Sequence, residues 1–196
     1  MILITFSNGR STAANRHGGS GFTLLELMIT ISIAAILLAI GVPSFQYVTK
    51  SNQASSEING LLGDMQFARG EAIKEGQRVT ICAAANGAPP CTGIAAWQTG
   101  WIVFSDVGAP GVFGGNDVLL KMQKTFSSTD TLTADFGITG VTFSREGFTS
   151  TLPGPVTFTL HTTPLNAAFT RCLSATIVGA LSTQIGGKTT AEGNPC

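Results

Sequence analysis

Histidine and charge are both scarce in this chain. His17 and His161 are the only histidines among 196 residues, and none of the four cysteines stands in a C-x-x-C pair. A zinc site of the usual ligand spacing is therefore not supported. Asp, Glu, Lys and Arg together make up 11% of the residues, low for a soluble domain. No G-x-S-x-G, phosphate-binding loop, H-E-x-x-H or G-x-G-x-x-G is present. Gly108 to Gly115 is rich in glycine but lacks a Lys-Ser/Thr pair. The acids are scattered, and no two are marked out for acid–base work. These absences point away from an enzyme, and no cofactor is expected. Basic side chains number 11 against 11 acidic, which argues against a large basic surface for nucleic acid.

Apolar residues, by contrast, reach 43%, and many stand in one block. Residues 22–42 read FTLLELMITISIAAILLAIGV, with a single charge, Glu26. About 20 such residues suffice to span a bilayer as a helix. Upstream lie Arg10, Arg16 and His17, and no acid precedes the block. That arrangement keeps the N-terminus cytoplasmic and sends the rest outward. An ordinary signal peptide is one reading, with Ala39-Ile40-Gly41 as a small-x-small cleavage site, but the run is long for that class. A plain membrane anchor is another.

The junction Gly21-Phe22-Thr23-Leu24-Leu25-Glu26 supports a third reading. It resembles the type IV prepilin motif: glycine, then phenylalanine, with glutamate at the fifth mature position. Pro43 also falls where this family carries a helix-bending proline. The resemblance implies that a membrane prepilin peptidase cuts after Gly21 and methylates the new amine of Phe22. Glycine has no side chain, so its carbonyl can be approached closely. The apolar segment is then kept as the spine of a fibre. An ionised carboxylate within a membrane helix is costly and functional by default. In this family Glu26 would pair with the terminal amine of a neighbouring subunit. A second role, favourable charge in the first helical turn, is compatible with that.

Beyond the block, Ile58, Leu61, Leu62, Met65, Ala68, Ala72 and Ile73 recur at three- and four-residue steps. That is one stripe of an amphipathic helix. Lys50, Glu57, Asp64, Arg69, Glu71, Lys74 and Glu75 largely fall on other faces, and Gly76 is a stop. Phe22 to Glu75 would extend about 80 Å if unbroken, with Gly41, Pro43 and Gly60 as places to bend. After Gly76 short apolar runs predict strands at 78–83, 100–104, 118–122, 141–144, 156–160, 171–177 and 181–185. A long helix packed on an antiparallel sheet is an α+β layout.

Three further blocks resemble the GspH/FimT-type minor pseudopilins, in the family's order. They are residues 67–80 (FARGEAIKEGQRVT), 97–106 (WQTGWIVFSD) and 138–147 (ITGVTFSREG). The resemblance implies a pilin-like fold and a non-enzymatic structural subunit. It implies a leader at 1–21, a transmembrane and assembly helix at 22–45 and a periplasmic domain at 46–196. Partners would be other minor and major pilins or pseudopilins, the prepilin peptidase and the inner membrane. A surface type IV pilus and a type II secretion pseudopilus both remain open.

Some competence-associated relatives bind DNA through a C-terminal Gly-Arg-x-Arg loop. The matching stretch here is Gly179-Ala180-Leu181-Ser182, without either arginine, and only Arg171 and Lys188 are cationic in the last fifty residues. Each missing phosphate contact weakens binding, so DNA uptake is disfavoured as an alternative.

The cysteines permit three connectivities. Gly87, Pro89 and Pro90 let the loop between Cys82 and Cys91 turn back on itself, which favours that pair and leaves Cys172 with Cys196. An even count fits an exported protein. Trp97 and Trp101 flank a turn into a strand, a place where indoles are usually core.

Overall fold

A computed structural model describes residues 21–188 and Cys196. The predicted leader, apart from Gly21, lies outside the described residues. Two compact units meet at Ser44 and Phe45.

The helix α1 runs Leu24–Glu75. Thr23 starts it: its Oγ1 accepts from the Glu26 amide at 3.2 Å, and its carbonyl accepts from Leu27 N at 3.1 Å. A threonine cap with glutamate three residues on is the capping-box pattern. Pro43 lies inside the helix, where it lacks the N–H that would bond four residues back. Gly76, with φ of 66°, ends it in the left-handed conformation.

In the second unit the helix buries Ala54, Ile58, Leu61, Met65, Ala68 and Ala72, a strict alternation of four- and three-residue steps. Burying each large apolar side chain of that face contributes about 1.5–3 kcal/mol. Two positions depart from the stripe as predicted. Ile73 is half exposed while Ala72 beside it is fully buried, because one residue turns the helix by about 100° and carries Ile73 to the margin of the covered face. Asp64 is buried instead of exposed. It accepts from Trp101 Nε1 at 2.8 Å and pairs with Lys121, and those partners offset its desolvation.

Eight strands follow: β1 (Val79–Ala83), β2 (Trp101–Ser105), β3 (Val118–Gln123), β4 (Thr131–Ala134), β5 (Gly140–Phe143), β6 (Val156–His161), β7 (Arg171–Ala175) and β8 (Leu181–Ile185). They form two four-stranded sheets, not one. The orders are β3-β2-β1-β5 and β4-β6-β7-β8, and every pairing is antiparallel. β4 is absent from the predicted strands because it is short and has one large apolar residue, Leu132. The predicted 171–177 strand stops at Ala175, where the chain turns.

Strand alternation sorts the core. Val79, Ile81, Ala83, Trp101 and Val103 of the first sheet join Val156, Phe158, Leu160, Leu173 and Ala175 of the second around the helix. The other face of the first sheet is also covered. Cys82, Ala84, Ile102 and Phe104 pack with Cys91, Phe113 and Leu119, and Phe113 meets Phe104 edge-on at 5.2 Å. The loops after β1 and β2 thus fold back over the sheet, which explains why both strands are buried throughout.

Candidate assembly segment

Gly21 and Phe22 precede α1, and both are exposed. From Phe22 to Val48 no apolar side chain is buried, although α1 is long and apolar enough to cross a membrane. Two hydroxyls of this stretch bond to their own backbone. Thr30 Oγ1 donates to the Leu27 carbonyl at 2.9 Å and Ser32 Oγ to that of Met28 at 2.7 Å. Such bonds leave neither hydroxyl in need of water. The Glu26 carboxylate is different. Among the described residues it has neither a hydrogen bond nor an ion pair, and only its amide is engaged.

The four cysteines belong to the second unit and lie apart from Glu26 in the chain. Cys82 is bonded to Cys91 and Cys172 to Cys196, each pair with Cα atoms 5.7 Å apart. The first clips the long loop onto the outer face of β1. The second ties the C-terminal residue to β7.

Both tryptophans are core. Trp97 donates to the Ile138 carbonyl at 2.8 Å and meets Phe158 edge-on at 5.1 Å. Trp101 is held by Asp64 and Phe126. Neither offers a binding platform.

The stretch matched to the DNA loop of some relatives forms the turn between β7 and β8. Gly179 is buried, with φ of 75°, and a side chain there would strike the Gly147 carbonyl. The guanidinium beside it is that of Arg69, whose Nε already donates to the Gly147 carbonyl at 3.0 Å. Ile177 and Val178 are what this turn exposes.

Two carboxyl arrangements escape a reading of the sequence. Asp106 is buried, and its Oδ2 accepts from Thr80 Oγ1 at 2.6 Å and Gly111 N at 2.7 Å. Asp117 organises the glycine-rich loop by accepting from Val107, Gly108 and Gly114 amides. Desolvation raises the Asp117 carboxyl, but those three amides outweigh it and hold its pKa below the ordinary value. Loop-ordering carboxylates carry no fixed spacing, so only the Asp-x-Gly character of the region hints at them. No group of three or more metal-ligating side chains occurs among the described residues.

Residues 57–179 match the family described as Type II transport protein GspH. Residues 16–42 match the prokaryotic N-terminal methylation motif. Over 67 residues the chain is 42% identical to fimbrial protein Q of Moraxella bovis, a stretch that is 34% of this chain and 41% of that relative. The chain thus spans about two fifths of the curated relative it matches. Crystal structures of the type IV minor pilin FimU of Pseudomonas aeruginosa share the fold. One superposes with a TM-score of 0.55 at 21% identity, covering 75% of this chain and 97% of that one. A second crystal form gives 0.53 at 21%, covering 71% and 97%.

Proposed function

Because the chain belongs to the GspH family of pilin-like transport proteins, we propose that it is a minor pilin or pseudopilin that helps to initiate and cap a filament. A prepilin peptidase cuts between Gly21 and Phe22 and methylates the Phe22 amine. Residues 22–45 hold the subunit in the bacterial inner membrane, with the domain from residue 46 in the periplasm. The same apolar surface then packs among the helices of other pilins. Glu26 receives the terminal amine of a neighbouring subunit, which removes an unpaired carboxylate from an apolar setting. The protein does no chemistry of its own.

The observation that carries this reading is the placing of the Gly21–Phe22 junction at the start of the apolar part of α1, whose side chains are exposed from Leu24 to Val42. A secretory cleavage site would stand at its end. Mass spectrometry of sheared surface fibres and of the membrane fraction tests it. A methylated peptide beginning at Phe22 and enriched in fibres is expected for a surface pilus. The same peptide confined to membranes assigns the subunit to a secretion pseudopilus. A mature chain beginning at Val42 would sink the pilin reading. No observation favours DNA uptake, since the β7–β8 turn presents apolar side chains.

A further inference from the structure

The first helical turns of the second unit have a companion loop. Tyr47 follows Val42, the end of the apolar run, by five residues. Its ring packs against Phe169, with centroids 4.8 Å apart. Phe169 closes the β6–β7 loop, Thr162 to Thr170, which reads TTPLNAAFT and carries no charge. Arg171 then locks the loop to the helix. Its Nε donates to Ser55 Oγ at 3.2 Å and its Nη2 to Ser51 Oγ at 3.0 Å. Its Nη1 donates to the carbonyls of Ala168 and Thr170, both at 2.9 Å.

The loop spends its polar groups internally. Thr163 Oγ1 donates to the Thr129 carbonyl at 2.9 Å, and Thr162 Oγ1 to that of Pro164 at 3.2 Å. Asn166 Oδ1 accepts from Ala168 N at 2.9 Å. Outward, beside Thr163 and Asn166, the surface is mostly apolar: Leu165 is 74% exposed, and Pro164, Ala167 and Ala168 are exposed with it. On the helix, Phe45, Tyr47 and Val48 are exposed as well.

Distance decides what such a surface meets. Five residues of chain reach at most about 17 Å, or about 7.5 Å as helix. The headgroup layer on each side of the hydrocarbon core is about 5–8 Å deep. The chain therefore tethers the Tyr47–Phe169 pair within reach of the headgroups, where aromatic residues are favoured. A lipid surface is the nearest occupant for an uncharged apolar loop held there.

We propose that the β6–β7 loop, led by Leu165, is a second membrane contact that inserts into the headgroup layer of the bilayer crossed by its own α1. This rests on reading residues 22–42 as membrane-spanning. The loop sets how the domain stands on the bilayer before assembly and lets go when the subunit enters a filament.

Tryptophan fluorescence tests it in the full-length protein. The native Trp97 and Trp101 are buried, so they form a background that lipid does not reach. Leu165→Trp places a reporter on the loop, and its exposure leaves room for the larger ring. Val178→Trp places one beside Gly179 and Arg69, and Arg69 lies 22 residues further along α1 than Tyr47, roughly 33 Å at 1.5 Å per residue. The proteins are reconstituted in vesicles of phosphatidylethanolamine and phosphatidylglycerol with brominated acyl chains. The expected result is a blue-shifted, quenched emission from Leu165→Trp, with Val178→Trp and the parent protein unquenched. Unquenched, water-like emission from Leu165→Trp in protein that floats with the vesicles overturns the proposal alone. Equal quenching of both variants also overturns it, because the domain then lies along the bilayer. Protein that does not float with the vesicles defeats the membrane reading on which the proposal rests.

Discussion

Glu57 and Asp64 stand about two turns apart on α1 and meet opposite fates. Asp64 is buried between a tryptophan N–H and a lysine. Removing it strands the Trp101 donor, and an unmade buried hydrogen bond costs about 1–3 kcal/mol. Asp64→Ala should lower stability by that amount in chemical denaturation, and an unchanged midpoint would show that Asp64 is a bystander. Glu57 accepts from Ser128 Oγ at 2.7 Å. Desolvation is the largest influence on it, and with the nearby Asp130 charge it raises the Glu57 pKa above 4.5, against the Ser128 bond. The folded state thus holds that proton more tightly than the unfolded chain. The stabilisation is fully present below pH 4.5 and is lost as pH rises through the folded value. Glu57→Gln should flatten the melting temperature across that window and stabilise the protein at neutral pH by less than about 1 kcal/mol, since the carboxylate is only partly buried and is partly screened. A melting-temperature profile parallel to the parent's would contradict this.

At the level of elements, the two disulfides close loops of different length, with sequence separations of 9 and 24. Chain entropy alone then makes them worth about 2.5 and about 3.5 kcal/mol. Paired serine substitutions should follow that order, with the Cys172–Cys196 loss the larger. The first loop, however, also covers Ile102 and Phe104 through Cys91. Should Cys82→Ser/Cys91→Ser prove the more damaging pair in thermal melts, loss of that cover outweighs loop closure. The apolar half of α1 has no such internal support. Among the described residues its apolar side chains are exposed throughout.

For the whole molecule, that division separates anchoring from assembly. On the proposed function, membrane insertion depends on the apolar run, whereas ordered entry into a fibre depends on the Glu26 carboxylate. Glu26→Ala should therefore leave the protein in the membrane fraction and remove it from sheared fibres, measured by immunoblotting both. Incorporation at the parent's level would mean that Glu26 serves only to start the helix beside Thr23.

Much of this was legible in residue order because it is local. The apolar run, its junction, the three- and four-residue stripe from Ile58 to Ala72 and most strands follow from periodicities of a few residues. The long helix packed on antiparallel strands could be read at that level, and the resemblance of three sequence blocks to minor pseudopilins added the pilin fold. What could not be read depends on contacts between distant residues. Asp64 looks solvent-facing until Trp101 and Lys121, far along the chain, arrive to pair with it. β4 is too short to announce itself and exists because β6 offers a paired edge. One sheet becomes two, and the loops after β1 and β2 become a lid, only when the helix has taken one face and left the other to be covered. By itself the sequence determined where the chain is apolar and with what period. The tertiary structure decided which polar groups are buried and which loops close over the sheet, because the desolvation of a charge or a strand face is set by what packs on it from elsewhere.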